Sequence, residues 1–486
     1  MAKRATIPDL LSVLTVKPQS MKTSLRVLLI ALTFYHADAQ QMTTVYGQII
    51  HPKGKQVYLR YYQDYIAYEE ITADSAALDK KGNFRMEFIW ERPYPVTFFH
   101  GDEITEMFLS PGDSLRLTLD TKQFDETVVY EGRGAEVNNY LAQKTLTFGP
   151  MSAEPYKLLE KEFLAYDDSM TNARFQFFTK HFSKTPVNNP SFQAFKDYEL
   201  EEIYYQSVNL RISYPQLHPY LNRASGQKVV SEKYYDFLGD VPPYDESAIL
   251  SPSYFEYLVG HVDKEISKIY MQDTTQSMTD LKSGYIEENL SGDIREYIYA
   301  YWIYDLLIEQ RDIGEGVAVL DRFRQASPGS RYVPMLEETL LLTSSLAPGS
   351  PAPDFTCLDT EGKEVSLSDF RGKIVYMDIW ATWCGPCRSE IPHAEKLGDE
   401  MRNEDVVFLC VSIDGDENAW KEFVKKKNMH GVHVLSEGEF NSPVSTRYGV
   451  TGIPHYILID REGKIVNSNA GRPSMGAKEE IEALLD

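Results

Sequence analysis

Three rhythms in the hydropathy of the chain predict a multidomain protein with an N-terminal antiparallel β-domain, a central all-α region and a C-terminal α/β unit. Apolar residues alternate with period two over about 40–135 and recur with period 3.6 over 136–346. Over 347–486 short apolar runs alternate with helical stretches. The 486 residues call for two or three domains. An apolar fraction of 43% can fill their cores and argues against global disorder. Asp and Glu outnumber Lys and Arg by 72 to 49, a formal charge of −23. No basic stripe is present to meet phosphates, so nucleic acid is not expected as a partner, and the acidity reads as solubility.

Residues 1–39 read as leader and signal peptide. Met21-Lys22-Thr23-Ser24-Leu25-Arg26 is a short basic region, Val27 to Tyr35 is apolar, and Ala37-Asp38-Ala39 offers a small-x-small cleavage site before Gln40. Met21 can serve as the start of translation, with residues 1–20 an upstream extension. The apolar run is too short for a typical membrane span, and no other stretch reaches that length. The expected location is therefore the cell envelope or periplasm, with no integral membrane segment after signal cleavage. No cysteine stands near the cleavage site to carry a lipid.

In the β-domain, expected over 40–135, Val57, Leu59 and Tyr61 line one face, Phe84, Met86, Phe88 and Trp90 another, and Leu115, Leu117 and Leu119 a third. Pro52-Lys53-Gly54-Lys55, Lys81-Gly82-Asn83 and Pro111-Gly112-Asp113 supply turns between them. Short strands at this spacing indicate a sandwich or small barrel. In the helical region, expected over 136–346, Ser251-Pro252 is a good N-cap and first-turn pair. It precedes the face Phe255, Leu258, Val259, Val262 and Ile266; Ile294, Tyr297, Ile298, Tyr301, Tyr304 and Ile308 make another. Tyrosines at helical spacing read as core. Neither region shows a catalytic constellation or a repeat.

Ser344 to Pro353 is rich in Pro, Ser and Gly and reads as a linker, after which the last unit runs over 347–486. Strands are expected at 355–358, 364–367, 374–380, 406–413, 433–435, 456–459 and 464–467, and helices at 386–402, 418–427, 443–447 and 477–485. Alternating βα units imply a sheet covered on both faces. Within it, the apolar strand Ile374-Val375-Tyr376-Met377-Asp378-Ile379-Trp380 leads to Trp383-Cys384-Gly385-Pro386-Cys387. A thiol at a helix N-terminus faces the positive end of the macrodipole, which lowers its pKa from about 8.5 toward roughly 7 or below. A second thiol one turn later can attack any mixed disulfide the first one makes. The pair is thus arranged for thiol–disulfide exchange, with Cys384 as nucleophile and Cys387 as resolving thiol.

Other uses of the pair fit less well. Zinc needs a second ligand pair, and covalent haem needs His after the second Cys, where Arg388 stands. A four-residue disulfide loop stabilises little by the loop-entropy estimate. Neither a metal nor an organic cofactor is expected. The chain has four cysteines, too few for a disulfide framework. Cys357 and Cys410 lie in apolar runs and read as small buried hydrophobes, with a bond between them left open.

The segment from Val375 to Cys387 resembles the active-site segment of thioredoxin. Pro351-Ala352-Pro353-Asp354-Phe355, Cys387-Arg388-Ser389-Glu390-Ile391-Pro392 and Tyr448-Gly449-Val450-Thr451-Gly452-Ile453-Pro454 resemble the TlpA/ResA-like branch of that superfamily. The likeness covers about the last 140 residues. It implies a thioredoxin fold and an envelope thiol–disulfide oxidoreductase. Gly112-Asp113-Ser114-Leu115-Arg116-Leu117, followed by Glu131-Gly132, resembles a β-domain often fused to such proteins.

Asp378 interrupts an apolar strand, where burial should raise its pKa and make it a proton acceptor for Cys387; it matches the buried Asp of thioredoxin. Glu390, three residues after Cys387, returns to the same helical face and matches the active-site Glu of the ResA-like branch. Which of the two handles the proton is open, and the alternative for Glu390 is a solvated surface charge. Ile453-Pro454 falls where the superfamily places its cis-Pro loop facing the cysteines, so both are candidate substrate-binding residues with Trp383. His455 stands where the family commonly has Thr, and either tunes the thiolate or starts a strand.

The leading expectation is an exported reductase of protein disulfides, recharged by a membrane electron donor, with cytochrome c-type biogenesis as one setting. The alternatives are a thiol peroxidase, for which no Pro-x-x-x-Thr-x-x-Cys segment is present, and a ligand-binding envelope protein with an accessory redox domain.

Overall fold

The structure, a computed structural model, describes residues 42–485 apart from 102, 151, 186–189, 223–228, 246, 247, 273 and 403. The leader and signal expected over 1–39 lie outside the described residues.

The period-two stretch forms β1 (Met42–Ile50), β2 (Gln56–Tyr62), β3 (Glu70–Ala77), β4 (Asn83–Ile89), β5 (Tyr94–His100), β6 (Glu103–Leu109), β7 (Ser114–Asp120) and β8 (Val129–Arg133). They make two four-stranded sheets, in the orders β4-β1-β7-β8 and β3-β2-β5-β6. The expected apolar faces meet between the sheets, where Val57, Leu59, Phe84, Met86, Leu115 and Leu117 share one core. The pairing is antiparallel except that β1 runs parallel to β7, with Gly47 opposite Leu117. A Cβ at position 47 would stand 1.7 Å from the Leu117 carbonyl oxygen, so this close approach requires glycine.

The helical stretch forms α1 (Ala135–Phe148), α2 (Glu160–His181), α3 (Pro190–Leu221), α4 (Pro252–Gln272), α5 (Met278–Asn289), α6 (Gly292–Ile308), α7 (Ile313–Ala326) and α8 (Val333–Ser345). Ser251 caps α4 as its sequence suggests: its Oγ accepts from Tyr254 N at 2.9 Å. The expected α4 face is buried at Phe255, Leu258, Val262 and Ile266. Helix α6 is buried on every side, including Tyr297, Tyr299, Trp302, Ile303 and Leu307, and is the centre of this region. Tyr65 and Ile66, from the connection between β2 and β3, are buried in the same core and tie the sandwich to the helices.

The last stretch forms β9 (Thr356–Asp359), β10 (Glu364–Ser366), β11 (Ile374–Trp380), α9 (Gly385–Glu400), β12 (Val406–Ser412), α10 (Glu417–Lys427), β13 (Val432–Leu435), α11 (Pro443–Tyr448), β14 (His455–Ile459), β15 (Ile465–Asn467) and α12 (Ala477–Glu482). Its seven-stranded sheet has the order β10-β9-β13-β12-β11-β14-β15. Central β11 pairs parallel with β12 and antiparallel with β14. Val375, Met377 and Ile379 pack against Trp420 of α10 and Tyr448 of α11. Ile374 and Tyr376 pack on the other face against Leu397 of α9 and Ile481 of α12. Both faces are covered, as a buried apolar central strand requires.

The Pro/Ser/Gly stretch expected as a linker is structured instead. Leu346 and Ala352 are buried in the core of the last unit. Gly349 N donates to Ile465 O at 2.7 Å, Ile465 N to Ser350 O at 2.8 Å, and Ala352 N to Gly463 O at 3.0 Å. Prolines restrict this segment to extended backbone, and the edge beside β15 offers it a ladder.

Candidate active site

Cys384 is the N-cap of the 16-residue helix α9, and its Sγ accepts from Cys387 N at 3.1 Å. The sulfur therefore sits where unpaired helix N–H groups and the macrodipole converge. Pro386 fits the first turn because a backbone N–H there needs no partner. Cys384 and Cys387 are joined as a disulfide, with their Cα atoms 5.3 Å apart. Cys384 is 5% exposed and Cys387 4%, so in this oxidised state accessibility does not distinguish them and helix position does.

The loop before the cysteines is held from the neighbouring strand. Buried Asp414 accepts from Thr382 Oγ1 at 2.6 Å, Thr382 N at 3.0 Å and Ser412 Oγ at 2.6 Å. Across the disulfide, the Ile453–Pro454 peptide bond is cis, and Ile453 O lies 3.6 Å from Cys384 Sγ. Trp380 packs in the core against Phe423, whereas Trp383 is 50% exposed, edge-on to Phe440.

Two carboxyl groups stand on the elements that carry the disulfide, Asp378 on β11 and Glu390 on α9. Asp378 is half-buried, and its Oδ1 is sealed from solvent with no hydrogen-bond partner among the described residues. Burial, assisted by the charge of Glu390, pushes the Asp378 carboxyl up to about 7. It borders a cavity of about 360 Å³ shared with Cys410, Glu395, Arg402 and His430. Glu390 is not a solvated surface charge: it is 7% exposed, and Ser474 donates to both its oxygens, from N at 3.0 Å and from Oγ at 2.9 Å. His455 opens β14 and donates from Nε2 to Ser468 O at 2.9 Å. Burial and the nearby Arg311 charge push its pKa down to about 4, so it is neutral at physiological pH. Cys357 and Cys410 are not bonded to each other, and burial raises the pKa of both thiols.

The structure brings the Cys384–Cys387 disulfide against Ile453 of the cis-proline loop, leaves Trp383 exposed next to it in the chain, and sets Asp378 of β11 within reach of the Glu390 charge on α9. Sequence reasoning missed Asp414, Ser474 and Arg311. The first two are polar residues in ordinary surroundings, and nothing local marks their distant partners. Among the described residues no group of three or more His, Cys, Asp or Glu side chains is placed to hold a metal ion.

A disulfide at a helix N-terminus beside a cis-proline, on a sheet with helices on both faces, defines a thioredoxin-like thiol–disulfide oxidoreductase. The Redoxin family model matches residues 347–485. The thiol-disulfide oxidoreductase ResA of Bacillus thuringiensis subsp. konkukian is 33% identical over 137 residues, 28% of this chain and 76% of the relative. That of Bacillus subtilis is 33% identical over 127 residues, 26% of this chain and 69% of the relative. A solved thioredoxin domain of a Bacteroides vulgatus thiol-disulfide oxidoreductase is 34% identical, covering 29% of this chain and all of that one, with a TM-score of 0.27. The chain belongs to the TlpA/ResA-like family of thioredoxin-superfamily thiol–disulfide oxidoreductases.

Proposed function

We propose that the protein is an exported enzyme that reduces disulfides in other proteins, with Cys384 attacking and Cys387 resolving. The observation that carries this is the placement of Cys384 Sγ at the α9 N-terminus, taking the Cys387 N–H while facing the Ile453 carbonyl. In the reduced enzyme the dipole and that N–H stabilise a Cys384 thiolate. The thiolate attacks one sulfur of the substrate disulfide, forms a mixed disulfide and expels the other sulfur as thiolate. Cys387 then gives its proton to Asp378 and attacks Cys384 Sγ. The second substrate sulfur leaves, the two electrons stay with the substrate, and Cys384–Cys387 is the oxidised product. Trp383, Ile453 and Pro454 form the surface on which the substrate lies.

Asp378 is the better proton acceptor of the two carboxyl groups. Glu390 already has both oxygens occupied by Ser474, whereas Asp378 Oδ1 has no partner among the described residues and its pKa of about 7 suits proton transfer at neutral pH. Glu390 acts on it through charge.

Export is supported by the basic, apolar and small-residue succession over 21–39. No helix among the described residues is long and apolar enough to cross a membrane. In an oxidising compartment the pair needs an outside source of electrons, so a membrane dithiol donor is part of the proposal. Cys387→Ser should arrest the reaction at the mixed disulfide. Mass spectrometry of the full-length variant, after exposure to an oxidised substrate protein, should find that partner on Cys384 and release it with dithiothreitol. A variant that turns over like wild type, or that carries its adduct on Cys357 or Cys410, would remove the resolving role.

A further inference from the structure

The geometry points to the turn between α6 and α7 as an outside support of the exchange site, with Arg311 as a positioning residue for the backbone that faces the disulfide. This deepens the exchange mechanism proposed above and rests on it for its functional consequence. Arg311 Nη2 donates to the carbonyl oxygens of Tyr448 at 3.1 Å and Gly449 at 3.0 Å. Those carbonyls end α11, where the chain turns through the left-handed Gly449 and runs directly into Ile453-Pro454. A guanidinium there complements the negative end of the helix and fixes the take-off of the loop.

An independent contact holds the same loop from the same turn. Thr451 Oγ1 donates to the Glu309 carboxylate at 2.7 Å, while Asn469, in the connection after β15, donates from Nδ2 to the Glu309 carbonyl at 3.2 Å and so ties the turn itself to the last unit. Ile308 and Leu342 lie against Gly449 on the apolar side. Arg311 itself has a φ of 56°, a conformation that side-chain-bearing residues adopt at a cost and keep only where the surroundings impose it. Its partners lie 137 and 138 residues further along the chain, so no local propensity produces the arrangement.

The consequence falls on substrate choice. Ile453 O is 3.6 Å from Cys384 Sγ, so a polypeptide that brings a sulfur to Cys384 passes beside this loop, and a loop already ordered spares that ordering at binding. A small aromatic disulfide reaches the sulfur without using the loop. The helical region therefore acts as the mount that makes the site selective for protein substrates.

The test uses full-length Arg311→Gln and Arg311→Lys, with insulin and a small aromatic disulfide as substrates and amide hydrogen exchange as a readout without turnover. In Arg311→Gln, amides in 448–454 should exchange about tenfold faster, the order expected from losing hydrogen bonds to a charged group, with β11 and β12 unchanged. KM for insulin should rise about tenfold with kcat and small-disulfide rates within about twofold, and Arg311→Lys should recover most of the loss. Unaltered protection at 448–454, or equal losses on both substrates, would overturn the inference. If the wild-type protein reduces neither substrate, the exchange reading fails, and Arg311's positioning role is then decided by the amide exchange alone.

Discussion

Cys384→Ser is expected to abolish disulfide reduction, with a loss of about a thousandfold or more at neutral pH. The reason is chemical before it is structural. A serine hydroxyl at the α9 N-cap still accepts the Cys387 N–H, so the loop and helix should persist, but it is not ionised near pH 7 and makes no S–S bond. Little folding stability should be lost with the cross-link, because a loop of four residues restricts the unfolded chain only slightly. Insulin reduction with an external dithiol should therefore vanish while the thermal midpoint moves by only a few degrees. Peroxide turnover should vanish too if it exists at all, so its survival in Cys387→Ser with loss in Cys384→Ser would favour the peroxidase alternative.

Asp378→Asn should show the second largest effect, and it should separate stability from activity. The folded carboxyl titrates at about 7 against an ordinary value of 3.8, because burial opposes its charge. An acid whose pKa is raised by folding binds more protons in the native state than in the unfolded one between those values. Stability therefore falls as pH rises from about 4 to 7, and the full penalty, about 4 kcal/mol, holds above pH 7. Asn removes the charge, so the oxidised variant should be more stable than wild type by about 2 to 4 kcal/mol at pH 8 and by almost nothing at pH 4. Its exchange rate should drop about a hundredfold at pH 8, and the rise of wild-type resolution through pH 7 should disappear. Denaturant unfolding at the two pH values and stopped-flow resolution of a mixed disulfide check both halves. A pH-independent stability difference would mean that Asp378 does not titrate in this range.

What the sequence made legible follows from the reach of each signal. Alternation in Leu115, Leu117 and Leu119 is a local property of one strand, so both strands and faces could be read from it. The succession from Ile374 to Cys387 carries strand, cap and thiols within fourteen residues, and the site's chemistry could be read there. Long-range choices were hidden. Nothing beside Gly47 says that β1 will run parallel to β7, and nothing beside Tyr65 says that it will enter a helical core. Ser474 lies 84 residues from the Glu390 carboxylate it caps, which is why a surface charge stayed open as the alternative for Glu390. The stretch 346–352 has the composition of a linker, yet its backbone groups find partners at β15, a matter of tertiary position that composition does not encode.

The account rests on an ionised Cys384, and the pH dependence of its alkylation in the reduced full-length protein tests that directly. Iodoacetamide labelling with peptide mass readout should modify Cys384 first, with a midpoint at about 7 or lower, while Cys387 reacts slowly until well above pH 8. A midpoint for Cys384 at about 8.5, the value of an ordinary thiol, or faster labelling of Cys387, would contradict it.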